Sequence, residues 1–324
     1  MKKTVLLMSL LLLVMAAQAQ QADSTAANSA AEPSPQGTVP TSVSFPVERV
    51  QTPTVADIYC AGFLSKHDLP NTNFVMGGLH TANTTKFVNG DIIYLGGSGY
   101  QSGQQYTILR EVQDPNKYEL FAGQNALINA TGHPYAEVAR VKIIDTRSKN
   151  AIASVEFSCD TVVPGDIAVP FAEKPMVSSH PPVRFDRFAP PNGKVSGRIV
   201  MAKDFDSEVG TGMKVYMNVG ASQGVKVGDY FRAVRSYEAD LKDPVDSLSF
   251  KASTTEDTQK SPPSIEPKFM SHSRGQVIRV ADLPRRAVGE IVIISATDTT
   301  ATGMIVFALE DVHVGDGVEL EEQQ

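Results

Sequence analysis

Hydrophobic residues fall along this chain in short bursts, each cut off by Gly, Pro, Asn or Asp. Bursts of this kind, rich in β-branched and aromatic residues, mark strands. Between residues 51 and 170 they predict strands at Ile58–Leu64, Asp91–Leu95, Tyr106–Arg110, Ala136–Ile144 and Ala151–Phe157. Ile92 with Tyr94, and Val138, Val141 and Ile143, keep pieces of the alternation expected of half-buried strands. Between 193 and 322 the same reading predicts strands near Val195–Ala202, Lys214–Asn218, Tyr230–Arg235, Gly275–Val280, Val288–Ser295 and Gly303–Leu309. The expected fold class is all-β, with two related small β-barrel-like domains at 51–170 and 193–322.

The intervening stretches are of other kinds. Residues 171–192 carry Pro175, Pro181, Pro182, Pro190 and Pro191, so neither a strand nor a helix runs far through them. They read as a Pro-rich connector strapped along a domain surface. Residues 239–270 are polar, contain four prolines and exceed the roughly 12–15 residues that compact domains tolerate in a loop. They read as a disordered or functional insertion in the second domain.

The two domains look like copies. The segment 103–110, GQQYTILR, lies against 228–235, GDYFRAVR, and Asp114-Pro115 answers Asp243-Pro244. Val138, Ala151, Phe157 and Gly165-Asp166 then fall, at one constant interval, on Val288, Ala301, Phe307 and Gly315-Asp316. Gly62 is matched to Gly197 in the first strands. Gly supplies a turn conformation that other residues resist, and Asp caps such turns through its side chain. Gly-Asp turns ahead of short strands imply a closed or nearly closed β-domain. Open strand edges and the long insertion are the expected contact elements.

This pattern resembles one found in bacterial envelope proteins. It is similar to the small β-domains that accompany LysM modules and to the C-terminal domain of flagellar assembly protein T. The second copy carries it in Gly228, Asp229, Phe231, Arg235, Asp243, Pro244, Val288, Gly289, Ile291, Ile293, Val312, Gly315 and Asp316. The first copy keeps Gly103, Tyr106, Arg110, Asp114, Pro115, Val138, Gly165 and Asp166, with Gln104 in place of the turn Asp. No LysM module is recognised, so glycan binding is not carried over. The resemblance implies an envelope scaffold or accessory protein without known catalytic residues.

The N-terminus fits that compartment. Lys2 and Lys3 precede an apolar run over 4–17, and Ala17-Gln18-Ala19 matches the small-x-small cleavage pattern. A bilayer core needs roughly 20 apolar residues, more than this run supplies. Residues 1–19 therefore read as a signal peptide. The Ala/Ser/Thr/Pro-rich residues 20–50 read as a disordered tether. No transmembrane segment is expected in the mature chain, and the expected location is the periplasm or the secreted space. There an oxidising milieu lets Cys60 and Cys159 persist as a disulfide bond. Two separate buried thiols are the alternative.

Composition adds exclusions. The formal net charge is −7, and loss of Lys2 and Lys3 makes it more negative, so nonspecific nucleic-acid or anionic-lipid binding is disfavoured. The glycines of 96–103 miss the spacing of a dinucleotide fingerprint and precede a strand rather than a helix. They read as a hairpin or loop. The acidic run Asp204-Phe205-Asp206-Ser207-Glu208 lacks the Gly and Glu of a calcium loop. His67, His80, His133, His180, His272 and His313 form no short ligand pair, and His313 is placed facing solvent. Arg184, Arg187, Lys194 and Arg198 form a modest basic patch.

No catalytic, cofactor-binding or metal-binding residue is named by these patterns, and no cofactor is expected. The expected role is non-enzymatic: an accessory or scaffold protein that binds another envelope protein. The alternative is a peptidoglycan or other glycan-binding module, motivated by Tyr94, Tyr100, Tyr106 and Tyr118 around the Gly-rich segment. An enzyme with a site assembled from distant residues is the third reading.

Overall fold

In the computed structural model of the chain, strands close into two rings of six. Residues 44–46, 50–80, 84–116, 118–178, 184–236 and 284–321 are described, and all belong to one compact unit, Ser42–Gln324. The signal peptide at 1–19, the expected strand at Gly275–Val280 and the insertion at 239–270 lie outside the described residues, as does the tether up to residue 43.

The elements run as follows: β1 (Ser44–Pro46), α1 (Val55–Tyr59), β2 (Phe63–Ser65), β3 (Phe74–Gly78), β4 (Ile92–Gly96) and β5 (Gln105–Glu111). After these come α2 (Gln124–Thr131), β6 (His133–Asp145), β7 (Ala151–Ser158), β8 (Ile167–Pro170) and β9 (Arg184–Asp186). The second half holds β10 (Ser196–Ala202), β11 (Glu208–Val209), β12 (Lys214–Met217), β13 (Tyr230–Arg235), β14 (Arg286–Ala296), β15 (Ala301–Ala308), β16 (Val312–His313) and β17 (Gly317–Leu320).

The first ring runs β6-β5-β8-β3-β4-β7 and closes through β7 onto β6, while β2 adds to the outside of β6. The second runs β14-β13-β17-β10-β12-β15 and closes likewise. Every pairing is antiparallel, and the strands of one ring replace those of the other one for one. The duplication extends to local detail. Val75 pairs with Leu95 and Ile199 with Met217, and a register shift follows at the same place in each. Val138 and Val288 each accept two backbone hydrogen bonds, from Cys159 and Asp160 and from Leu309 and Glu310. Closure pairs the ring strands on both sides, while β2, outside the first ring, has β6 as its one neighbour among the described residues.

Turn chemistry explains the repeat. Gly90, Gly103 and Gly165 in the first ring, and Gly212, Gly228 and Gly315 in the second, have positive φ between 87° and 103°, which only glycine adopts at little cost. Inward residues then fill each ring: Val75, Ile93, Leu95, Ile108, Val141 and Ala153 in one, Ile199, Val215, Phe231, Ile291, Ile293 and Ile305 in the other. The 96–103 glycines form a loop rather than a hairpin, because β4 and β5 are not neighbours in the ring.

In β14 and β15 nearly every residue is buried, on both faces. The outward set, Val292, Ile294, Met304, Val306 and Phe307, is covered by Val177 and Phe185 of the Pro-rich connector. Phe185 meets Phe307 edge-on at 5.0 Å. The connector is thus a strap on the second barrel, stitched by the β1–β9 pairing.

Several elements differ from expectation. Ile58–Leu64 is not one strand. Thr54 and Asp57 cap each other's backbone N–H groups and start α1, and β2 follows only at Phe63. The true first strand of the ring is β3. Gly62 therefore is not the counterpart of Gly197, which shares its register position with Asn73. α2 was not foreseen, and it interrupts the first repeat between β5 and β6.

Candidate functional site

The repeated motif residues come together in both barrels, and they hold the fold. Arg110 Nε and Nη2 donate to Asp166 Oδ1 and Oδ2, each at 2.8 Å, and Nη2 also donates to the Thr161 carbonyl. Arg235 repeats this at 3.0 and 2.8 Å to Asp316, with Nη2 on the Asp311 carbonyl at 2.7 Å. Each Asp also accepts from a turn N–H, Val163 in one copy and His313 in the other, at 2.8 Å. A fork-shaped guanidinium matches a carboxylate in two parallel bonds. The pair ties the third strand of each ring to the turn before the closing strand, which is why Gly-Asp and the distant Arg recur together. Turn Asp229 accepts from the Lys226 N–H at 2.8 Å; at Gln104 that side-chain cap is absent and the side chains of Gln101 and Gln104 bond instead.

The tyrosines do not form one platform. Tyr106 is buried in the first barrel, and Tyr100 meets its ring at 5.0 Å across the barrel mouth. The Tyr100 hydroxyl donates to the Gly96 carbonyl at 2.8 Å, and burial, with Tyr106 beside it, pushes its pKa up to about 12. Tyr94 points outward from β4, and Tyr118 stands alone at 86% exposure. The motive for sugar stacking is correspondingly weaker.

The other candidates also separate. Among the described residues, no group of three or more His, Cys, Asp and Glu side chains is placed to hold a metal ion. His67, His80 and His133 are exposed at different places, and His180 and His272 lie outside the described residues. His313 is buried at 8% exposure in β16, correcting its placement toward solvent. Of the basic patch, Arg187 pairs with Glu310 while Arg198 lies over the Phe121 ring at 4.9 Å. Cavities of about 530 and 310 Å³ open at the surface of the first barrel, one beside Gln104, Lys142 and Phe171 and the other beside His80, Phe87 and Asp91.

No protein-family model matches the chain, and no curated protein matches it. Its own geometry therefore carries the functional argument, and that geometry is richest where the two barrels meet.

Residues 57–65 lie between the barrels: β2 among them pairs with β6 of the first, while Asp57 and residues 61–64 bond to the outer face of the second. Cys60, at the C-terminal cap of α1, is disulfide-bonded to Cys159 beyond β7. The bond was expected, but it joins a helix cap to a strand end, not two neighbouring ring strands. On the second barrel, Tyr216 donates to the Ala61 carbonyl at 3.3 Å, Thr302 to Gly62 at 2.9 Å and Thr300 to Leu64 at 3.3 Å. Burial pushes the Tyr216 hydroxyl pKa up, so it remains a neutral donor. Leu64 packs on Val200, Met201 and Tyr216, with Leu127 and Ile128 of α2 beside them. Gln124 donates to the Val200 carbonyl at 3.0 Å. On the first-barrel side, Glu137 accepts from the Gly62 N–H at 3.1 Å and pairs with Lys174. Arg140 lies 5.2–6.0 Å from the ring centres of Phe171, Tyr59 and Phe157, drawing α1 and the start of the strap onto β6 and β7.

Two predictions arise at this joint. Gly62 has φ +68°, and a Cβ there would strike the Tyr216 hydroxyl and come within 2.8 Å of the Tyr135 carbonyl. Gly62→Ala is expected to cost at least about 1–3 kcal/mol, read as a lower denaturation midpoint with faster amide exchange at residues 61–65. Asp57 pairs with Lys214. Burial alone would raise its carboxyl, but donors from Lys214 and Thr54 outweigh burial and hold it below its ordinary 3.8. The unfolded chain thus binds the proton more tightly, and the pair's contribution is present above that value and lost as pH falls through the lower folded value. Asp57→Asn is expected to flatten the acid limb of a stability–pH curve below about pH 4 and to leave its slope near neutrality unchanged.

Proposed function

We propose that the chain is a non-enzymatic accessory or scaffold protein of the cell envelope, periplasmic or secreted, that works by binding another envelope protein. One observation carries the reading. The residues that define the repeat, the glycine turns and the Arg–Asp pairs, are all spent on building two barrels, and residues 57–65 then fasten those barrels together. A body of that kind presents fixed surfaces at a fixed spacing, which suits assembly. The disulfide bond fits an oxidising compartment. No helix among the described residues is long and apolar enough to cross a membrane. The resemblance to envelope β-domains points the same way.

The test is to express residues 20–324 with an affinity tag, crosslink in a native envelope extract and identify retained partners by mass spectrometry. A specific envelope protein recovered repeatedly is the expected result. Recovery of wall fragments alone, with retention on insoluble peptidoglycan, would replace protein binding with glycan binding.

A further inference from the structure

We infer that the outer face of β3 and β4, with Ile152 of β7, is the docking surface for an uncharged, extended apolar segment of a partner protein. The inference rests on the reading that the chain works through protein contacts, and it deepens that reading by naming the surface and the chemistry it fits.

Equivalent ladders pair Gly77 with Tyr94 and Tyr94 with Ile152 in the first barrel, and Met201 with Tyr216 and Tyr216 with Thr302 in the second. Tyr94 therefore holds the position of Tyr216, Ile152 that of Thr302, Met76 that of Val200 and Asn150 that of Thr300. In the second barrel this face is covered by an extended stretch of the chain, Ala61 to Leu64, whose carbonyls take hydroxyl donors and whose Leu64 enters an apolar bed. In the first barrel the described residues leave it uncovered: Phe74 is 38% exposed, Met76 44% and Leu79 58%. Phe74 and Met76 both close over Gly96, where a Cβ would meet them at 2.9 and 3.1 Å. Leu79 donates its N–H to the Ile92 carbonyl, bringing Ile92 and Tyr94 into the same surface.

An exposed apolar patch on an outward sheet face marks a contact surface. β3 and β4 are each paired on both sides within the ring, which leaves no edge there for strand addition, so a partner must lie across the face, as residues 61–64 do on the second barrel. Tyr94 and Asn150 keep hydrogen-bonding side chains at the two outer donor positions. Between them Ile152 replaces Thr302, and Ile92 replaces Lys214, which in the second barrel holds Asp57. The segment that fits is thus extended, apolar and free of the acidic residue that the internal segment carries. The chain's own residues 61–64 are not available for this, being held on the second barrel beside the disulfide bond.

The probe is a synthetic peptide with blocked termini copying residues 57–65 with Asp57→Asn and Cys60→Ser, titrated into residues 20–324 labelled at Met and Ile methyl groups. The expected result is saturable shifts at Met76, Ile92 and Ile152, unchanged Met217 and Ile305, and affinity at least about tenfold weaker in Met76→Glu. Met76 is exposed, so the variant should keep the wild-type denaturation midpoint, which is measured alongside. Absence of shifts to millimolar peptide, or shifts confined to Met201 and Met304, would overturn the proposal. The two readings separate in the extract experiment. A partner captured equally by wild type and Met76→Glu overturns this surface and leaves protein binding standing, whereas no protein captured by wild type overturns protein binding itself.

Discussion

Replacing Arg235 with alanine is expected to destabilise the second barrel by about 3–5 kcal/mol. Asp316 is fully buried at its side chain, and Arg235 is 4% exposed. Removing the guanidinium leaves a buried carboxylate whose remaining described donor is the His313 N–H at 2.8 Å. It also strips the Asp311 carbonyl of a 2.7 Å bond. The matching change in the first barrel, Arg110→Ala, is expected to cost less, because Arg110 is 26% exposed and water reaches the site. The order of effects is the sharper test, since both pairs have nearly the same bond lengths and differ in burial. Urea denaturation of the two variants beside the wild type checks it. A double replacement, Arg235→Met with Asp316→Leu, should recover much of the loss, because deleting both charges removes the stranded one. Equal costs in the two barrels would show that burial does not set the strength of this tie.

The second large effect concerns the bridge between Cys60 and Cys159, which spans 99 residues of sequence. Closing a loop of that length stabilises the folded state by about 4–5 kcal/mol in the chain-entropy account. The double variant Cys60→Ser, Cys159→Ser should therefore lose stability on that scale. The structure adds a local consequence. Cys60 immediately precedes Ala61 and Gly62, whose carbonyls take the Tyr216 and Thr302 hydroxyls. Freed from Cys159, this crossing segment should open more often, so amide exchange at 61–65 should rise by more than the global loss accounts for. A variant that loses stability with uniform exchange across both barrels would show a bridge acting on the unfolded chain alone.

The same physics decides what could be read from the amino-acid pattern. The glycines at 103, 165, 228 and 315 stood out because a turn with positive φ leaves a local mark, and the strands after them followed. β14 and β15 were legible because both their faces are buried, by the barrel interior and by the strap, which makes their apolar runs almost continuous. β3 was missed because Phe74–Gly78 is short, ends in two glycines and carries a register shift. α1 had a readable signal, the reciprocal cap of Thr54 and Asp57, but Ile58 and Tyr59 favour a strand locally. The gap between Tyr94 and Tyr216 is of another kind. The two occupy equivalent strand positions, and only the tertiary path of residues 57–65 buries one and leaves the other half-buried. No local pattern encodes that difference, so the candidate surface emerged only from comparing the two barrels.

The most direct test of this account is photo-crosslinking of residues 20–324 carrying photoreactive methionine, in native envelope extract. Met76 and Met201 sit at adjacent repeat positions on the outer faces of the two barrels, one exposed and the other buried under Leu64. The account predicts that Met201 gives adducts within the chain, to residues 61–65 or α2, and that Met76 gives adducts to a second protein. Adducts from Met76 that stay within the chain, or a second protein attached at Met201, would contradict it.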